Sequence, residues 1–93
     1  MPDIKLVMDN RTSLDLLFVY NGVKYNVPAK RSERTTVEAG HKVSVHDPNH
    51  TKVTRDKREV EYDYYIYDLI EDTVIVCELT GWQLKLRLGR DVV

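Results

Sequence analysis

Three histidines, His41, His46 and His50, fall within residues 41–50 with Asp47 among them. Imidazole and carboxylate together make the ligand set of zinc and non-haem iron, so the chemistry they could support is that of a small metal-dependent β-barrel enzyme. Their spacing argues against it. Asp47-Pro48-Asn49 separates His46 from His50, and a proline-bearing turn removes the helical geometry that brings side chains four residues apart onto one face. Solvated loop histidines are the expectation, with no metal and no cofactor.

Cys77 lies between Val76 and Glu78 in an alternating apolar stretch, where a period of two turns it inward as a small apolar group. A nucleophilic thiol needs a base and an electropositive setting, yet no histidine is near in sequence and the Glu78 carboxylate would raise the thiol pKa. Ser13, Ser32 and Ser44 have no glycine-rich elbow, and no glycine motif that cradles phosphate occurs. The sequence therefore reads as a non-enzyme. Lys30, Arg31 and Arg34 form one basic cluster, and Lys52, Arg55, Lys57 and Arg58 another. No aromatic residue is interleaved with either to stack bases, and the formal net charge is −1, so direct nucleic-acid binding is not expected.

The most informative stretch is residues 59–68, Glu-Val-Glu-Tyr-Asp-Tyr-Tyr-Ile-Tyr-Asp. If Tyr62, Tyr64 and Ile66 face a core, then Tyr65, Tyr67 and Leu69 face outward beside Val74 and Val76 of the next strand, fringed by Glu61 and Asp63. The solvated face of an antiparallel sheet normally carries polar side chains, whereas large amphipathic ones with a charged fringe resemble an interface core. Tyr65, Tyr67, Leu69, Val74, Val76, Glu61 and Asp63 are accordingly the predicted partner-binding residues.

These side chains need a scaffold, and composition points to strands. Ala29 and Ala39 are the only alanines, whereas valine is abundant and there are six tyrosines, which suits a pleated, half-buried surface. With 93 residues the chain reads as one β domain spanning 1–93. A core that small gains from extra burial, which makes a homodimer a favoured state. The lone cysteine allows no internal disulfide, and Met1 leads into Ile4-Lys5-Leu6-Val7 without a basic and apolar leader, so a cytoplasmic protein is expected. No apolar run reaches the ~20 residues of a membrane-spanning helix. The triplets Asn10-Arg11-Thr12 and Asn49-His50-Thr51 would matter only after secretion.

Residues 4–8 read as a first strand, with a chain reversal at 10–13. Residues 14–20 and 23–27 flank Asn21-Gly22, the signature of a type I′ hairpin, which places Tyr20 opposite Val23, Phe18 opposite Tyr25 and Leu16 opposite Val27. Pro28 ends that strand; 35–37 form a short edge strand, 42–46 another strand, and 50–58 an exposed loop or ribbon. The C-terminal third predicts a meander of three strands. A Thr80-Gly81 loop would set Trp82, Leu84 and Leu86 against Leu79, Cys77 and Ile75, and a bulge or longer turn near Leu69 would relieve a misfit at Asp68. The fold class is thus all-β, a small antiparallel β-sandwich or partly open barrel of about seven or eight strands, with an N-terminal Asn-Gly hairpin and a C-terminal three-strand meander.

The function this predicts is non-catalytic: a protein–protein interaction module, inhibitor, adaptor or assembly subunit that binds a protein partner or itself through the outward tyrosine face. An acidic mimic of nucleic acid that blocks a basic groove is one alternative. The metal-dependent barrel using His41, His46, Asp47 and His50 is the other.

Overall fold

Asn21 and Gly22 sit at φ of 49° and 77°, the paired positive angles of a type I′ turn, and the strands on either side pair in the register that such a turn imposes. A computed structural model describes the backbone of residues 2–48, 52–55, 58–61, 63–80 and 83–89, and the side chains of 2–48, 67–80 and 84–89. In chain order the strands are β1 (Asp3–Asn10), β2 (Leu16–Tyr20), β3 (Val23–Val27), β4 (Ser32–Glu38), β5 (His41–His46), β6 (Lys52–Arg55), β7 (Arg58–Glu61), β8 (Asp63–Leu69), β9 (Thr73–Thr80) and β10 (Gln83–Gly89). Eight of them form two four-stranded sheets, ordered β10-β9-β1-β4 and β3-β2-β5-β8, which pack face to face as a sandwich. The strands β6 and β7 pair with each other in a ladder of their own.

The β2–β3 hairpin has the expected register, with Tyr20 opposite Val23, Phe18 opposite Tyr25 and Leu16 opposite Val27. Leu16, Phe18, Tyr20 and Val27 are buried, and they meet Leu6, Met8, Ile75, Cys77 and Leu84 of the facing sheet in one apolar core. Alternation therefore identified these inner rows correctly. It did not identify neighbours. The chain does not reverse at residues 10–13; it crosses from one sheet to the other, so β1 and β2 lie in different sheets. The three-strand meander is also corrected: β9 and β10 form a hairpin, but β8 pairs with β5 and β9 lies alongside β1 in parallel. Residues 70–72 are thus a crossover between sheets, and the misfit at Asp68 vanishes because β8 and β9 share no ladder.

Two register details differ from expectation. The β9–β10 ladder pairs Thr80 with Gln83, Leu84 with Leu79 and Leu86 with Cys77, a shift of two from the predicted pairing. A slip of two keeps every side chain on its face, so the apolar pattern cannot distinguish the two registers. Trp82 and Gly81 lie outside the described residues. The β5–β8 ladder pairs Ser44 with Ile66 but Val45 with Tyr64, which leaves Tyr65 as the extra residue of a bulge. The bulge expected near Leu69 belonged to a β8–β9 ladder that does not form, and this one lies in the β5–β8 ladder instead.

The end of the sandwich where β1 leaves its sheet is closed by one side chain. Asn10, 1% exposed, donates through Nδ2 to the carbonyls of Leu14 (2.7 Å), Val27 (3.0 Å) and Pro28 (3.2 Å). Its Oδ1 accepts from the Thr12 amide at 3.0 Å and the Thr12 hydroxyl at 2.6 Å. One carboxamide thereby ties the end of β1 to the start of β2 and the end of β3, and among the described residues no buried side-chain nitrogen or oxygen lacks a partner.

Asn10→Ala would strand these buried groups, each worth about 1–3 kcal/mol when left without a partner. The expected loss is about 3 kcal/mol or more in chemical denaturation followed by circular dichroism. Asn10→Asp keeps the shape but has no donor, so it should do no better at neutral pH.

Candidate interaction surface

The opposite end of the sandwich gathers four pieces of chain: the start of β1, the β2–β3 turn, the Ala39-Gly40 bend between β4 and β5, and the 70–72 crossover. Backbone and side-chain hydrogen bonds stitch them together. Gly40, at φ 98°, donates its amide to the Leu69 carbonyl at 2.8 Å, and Ala39 donates to the Pro2 carbonyl at 3.0 Å. Lys5 donates its amide to Asp72 Oδ1 at 2.8 Å, extending the β1 edge onto the crossover. The Tyr20 hydroxyl donates to the Glu38 carbonyl across the two sheets, and the His41 amide reaches that hydroxyl at 3.4 Å.

This end holds every large apolar side chain that stands exposed among the described residues. Ile70 on the crossover is 72% exposed, Val23 beside the Asn21-Gly22 turn 50%, and Leu88 near the end of β10 48%. Ile70 and Leu88 line one groove of about 270 Å³ together with Asp68, Glu71 and Gly89. Val23 lies on the same end at the β3 flank. Among the described residues of this end, Asp3, Glu38, Asp68, Glu71 and Asp72 and the lysines Lys5, Lys24 and Lys42 are exposed.

The predicted tyrosine face is not one surface. Leu69 is 2% exposed and belongs to the core, and Tyr67 packs against that core opposite Val43. The bulge at Tyr65 explains this, because one extra residue exchanges the inner and outer rows on either side of it. Val74 and Val76 sit on β9 in the other sheet, half-buried and 7% exposed respectively. Their cross-strand neighbours are Gly89 and Arg87, and the aliphatic stem of Arg87 is long enough to lie over Val76. The side chains of Tyr65, Glu61 and Asp63 lie outside the described residues.

His41 and His46 do not converge. His41 and His46 occupy opposite ends of β5, roughly 16 Å apart at strand rise, and five residues of separation put them on opposite faces. His41 stacks edge-on against Tyr20 with ring centroids 5.8 Å apart, while His46 Nε2 is 2.8 Å from Ser44 Oγ. Asp47 is buried, and His50 lies outside the described residues. No group of three metal-ligating side chains is found among the described residues. In the first basic cluster Lys30 donates Nζ to the Arg11 carbonyl at 2.9 Å and Arg34 stands on the edge strand β4, and in the second Lys52, Arg55 and Arg58 fall on the paired strands β6 and β7, with Arg55 opposite Arg58. Lys57 lies outside the described residues.

Ile70 and Leu88 escaped the sequence reading, although a signal for one was present. Two consecutive apolar residues at a strand end, Leu69-Ile70, cannot both face the core. Leu88 belongs by parity to the row of buried Leu84 and half-buried Leu86, yet is 48% exposed.

Cys77 is buried in the core, and burial pushes its thiol up to about 12, with the Asp9 carboxylate rather than Glu78 adding to the effect. Below that value the thiol stays protonated in the folded state, so native protein should resist a thiol reagent at pH 8 and react only as it unfolds. Fast, stoichiometric labelling without denaturant would contradict the burial. On the outer face of the same strand, Arg87 holds the Glu78 carboxyl below its usual range through a 2.9 Å hydrogen bond and its charge, and Arg11 adds a weaker pull. A depressed carboxyl contributes stability above the unfolded glutamate's pKa and loses it as pH falls through the folded value. Glu78→Gln should therefore lower the midpoint near pH 8 slightly, as suits an exposed pair, and converge with the parent in acid, so that the acid side of the thermal-stability profile is flatter.

No helix among the described residues is long and apolar enough to cross a membrane. Comparison with models of protein families, with curated proteins and with solved structures found no match to this chain.

Proposed function

We propose that this protein is a non-catalytic interaction module that binds a protein partner through the end of the sandwich bearing Ile70 and Leu88. The observation that carries the reading is the placement of the exposed apolar side chains: Ile70, Val23 and Leu88 share one end, and two of them border one groove. Large apolar residues clustered on an exposed surface with a polar fringe mark contact sites, because water-exposed hydrocarbon gains free energy when a partner covers it. The rigid support fits such a role. Four chain segments are cross-linked by hydrogen bonds at this end, so little conformational freedom is lost on docking. A reducing, cytoplasmic setting suits the lone buried thiol of Cys77.

Replacement of Ile70 by aspartate tests the reading. Covering an aliphatic side chain is worth about 1.5–3 kcal/mol, so Ile70→Asp should weaken partner capture roughly tenfold to a hundredfold, with the circular-dichroism spectrum unchanged. Leu88→Ser should act in the same direction. Capture that is indifferent to both substitutions would move the contact surface elsewhere.

A further inference from the structure

We infer that two copies of this chain pair through the free edge of β3, which joins their β3-β2-β5-β8 sheets into one across a twofold axis at Tyr25. Strand β3 lies at the opposite edge of its sheet from β8, so this contact is separate from the Ile70–Leu88 groove. The fold leaves this edge bare. Strand β3 pairs with β2, and a groove of about 310 Å³, lined by Lys24, Tyr25 and Asn26 on one side and by Glu33, Arg34 and Thr35 on the other, separates it from β4. Glu33 and Arg34 are one charge of each sign, so the facing wall is neutral overall. The other edges are blunted. Strand β8 bulges at Tyr65, β4 carries Glu33, Arg34 and Glu38, and β10 carries Lys85 and Arg87, all devices that deter edge pairing, whereas β3 has Lys24 as its one charged residue.

The backbone selects the register. A two-residue loop makes Tyr20 and Val23 a hydrogen-bonded pair and the pattern alternates from there, so Val23, Tyr25 and Val27 bond to β2, while the N–H and C=O of Lys24 and Asn26 point away from it. The edge ends at Pro28, which has no N–H and whose carbonyl already accepts from Asn10 and Arg31. Antiparallel pairing about Tyr25 sets Lys24 of each copy opposite Asn26 of the other, and both residues of that pair have free the groups that they must exchange. Centring on Lys24 would oppose two lysines, and centring on Asn26 would oppose Lys24 to Pro28. One register thus satisfies backbone and charge together. It also sets Val23, 50% exposed, opposite the second copy's Val27. Five residues make a short contact, so dimer and monomer exchange.

Sedimentation velocity of the full chain over a series of loading concentrations should show a monomer–dimer equilibrium. Amide hydrogen exchange followed by NMR reads the edge itself: Lys24 and Asn26 should gain protection as concentration rises, while Val23, Tyr25 and Val27 are protected throughout. Asn26→Lys brings a second positive charge against Lys24 of the other copy and should weaken association about threefold to tenfold, whereas Asn26→Asp should strengthen it by a similar factor that salt of roughly 0.5 M removes. Circular dichroism checks that both variants keep the fold. A chain that stays monomeric at every concentration, a dimer whose Lys24 and Asn26 amides exchange freely, or two Asn26 variants that associate alike overturns the inference. Loss of the dimer in Ile70→Asp does so too, by moving self-association to the crossover end. Protection of these amides by an added protein but not by the chain's own concentration would give the edge to a foreign strand and likewise overturn self-pairing.

Discussion

The carboxamide of Asn10 solves the problem that a sandwich sets wherever its chain passes from one sheet to the other: the backbone groups at the corner leave one ladder before they can join the next. By donating to Leu14, Val27 and Pro28 and accepting from Thr12, it replaces the missing ladder bonds and brings the ends of three strands together. The core depends on this. Leu6 and Met8 meet Leu16 and Phe18 only if β1 and β2 are folded over one another at this corner. The opposite end is joined differently, by the Tyr20 hydroxyl and by amides of Ala39, Gly40 and Lys5, and it is there that apolar side chains are left outside.

That contrast between ends locates the proposed contact surface. On the outer face of the β10-β9-β1-β4 sheet, Asp9, Arg11, Glu78 and Arg87 form a charged ladder, and Val7 and Val76 beneath them are almost fully covered. Such exposed pairs add little stability, but they keep a sheet face hydrated. Among the described residues, the crossover end has no equivalent ladder of ion pairs beside Ile70 and Leu88. A groove flanked by terminal strands is lined there by Ile70 and Leu88 together with Asp68 and Glu71, and the buried thiol of Cys77 is spent on packing.

Much of the architecture was legible in residue order. The Asn21-Gly22 pair specified a turn whose twist forces the register of its flanking strands, because only residues tolerant of positive φ fit there. Alternation marked Leu16, Phe18, Ile75, Cys77 and Leu84 as inward, and mid-strand placement of Cys77 foretold its burial. The candidate surface was much less legible. The tyrosine stretch was read as an outward stripe because its parity was counted through Tyr65, where the bulge interrupts it, and because β8 and β9 were assumed adjacent.

Sequence by itself determined the all-β character, the hairpin, and which residues of most strands avoid water, since each follows from local conformational preference and a period of two. Only the tertiary structure decided which strands became neighbours, that β9 runs parallel to β1, and that Ile70 and Leu88 share a groove. The physical reason is that alternation reports the face on which a side chain lies and carries no information about the strand beside it. Adjacency depends on where the chain crosses between sheets, and those crossings are set by long-range hydrogen bonds such as those of Asn10 and Gly40.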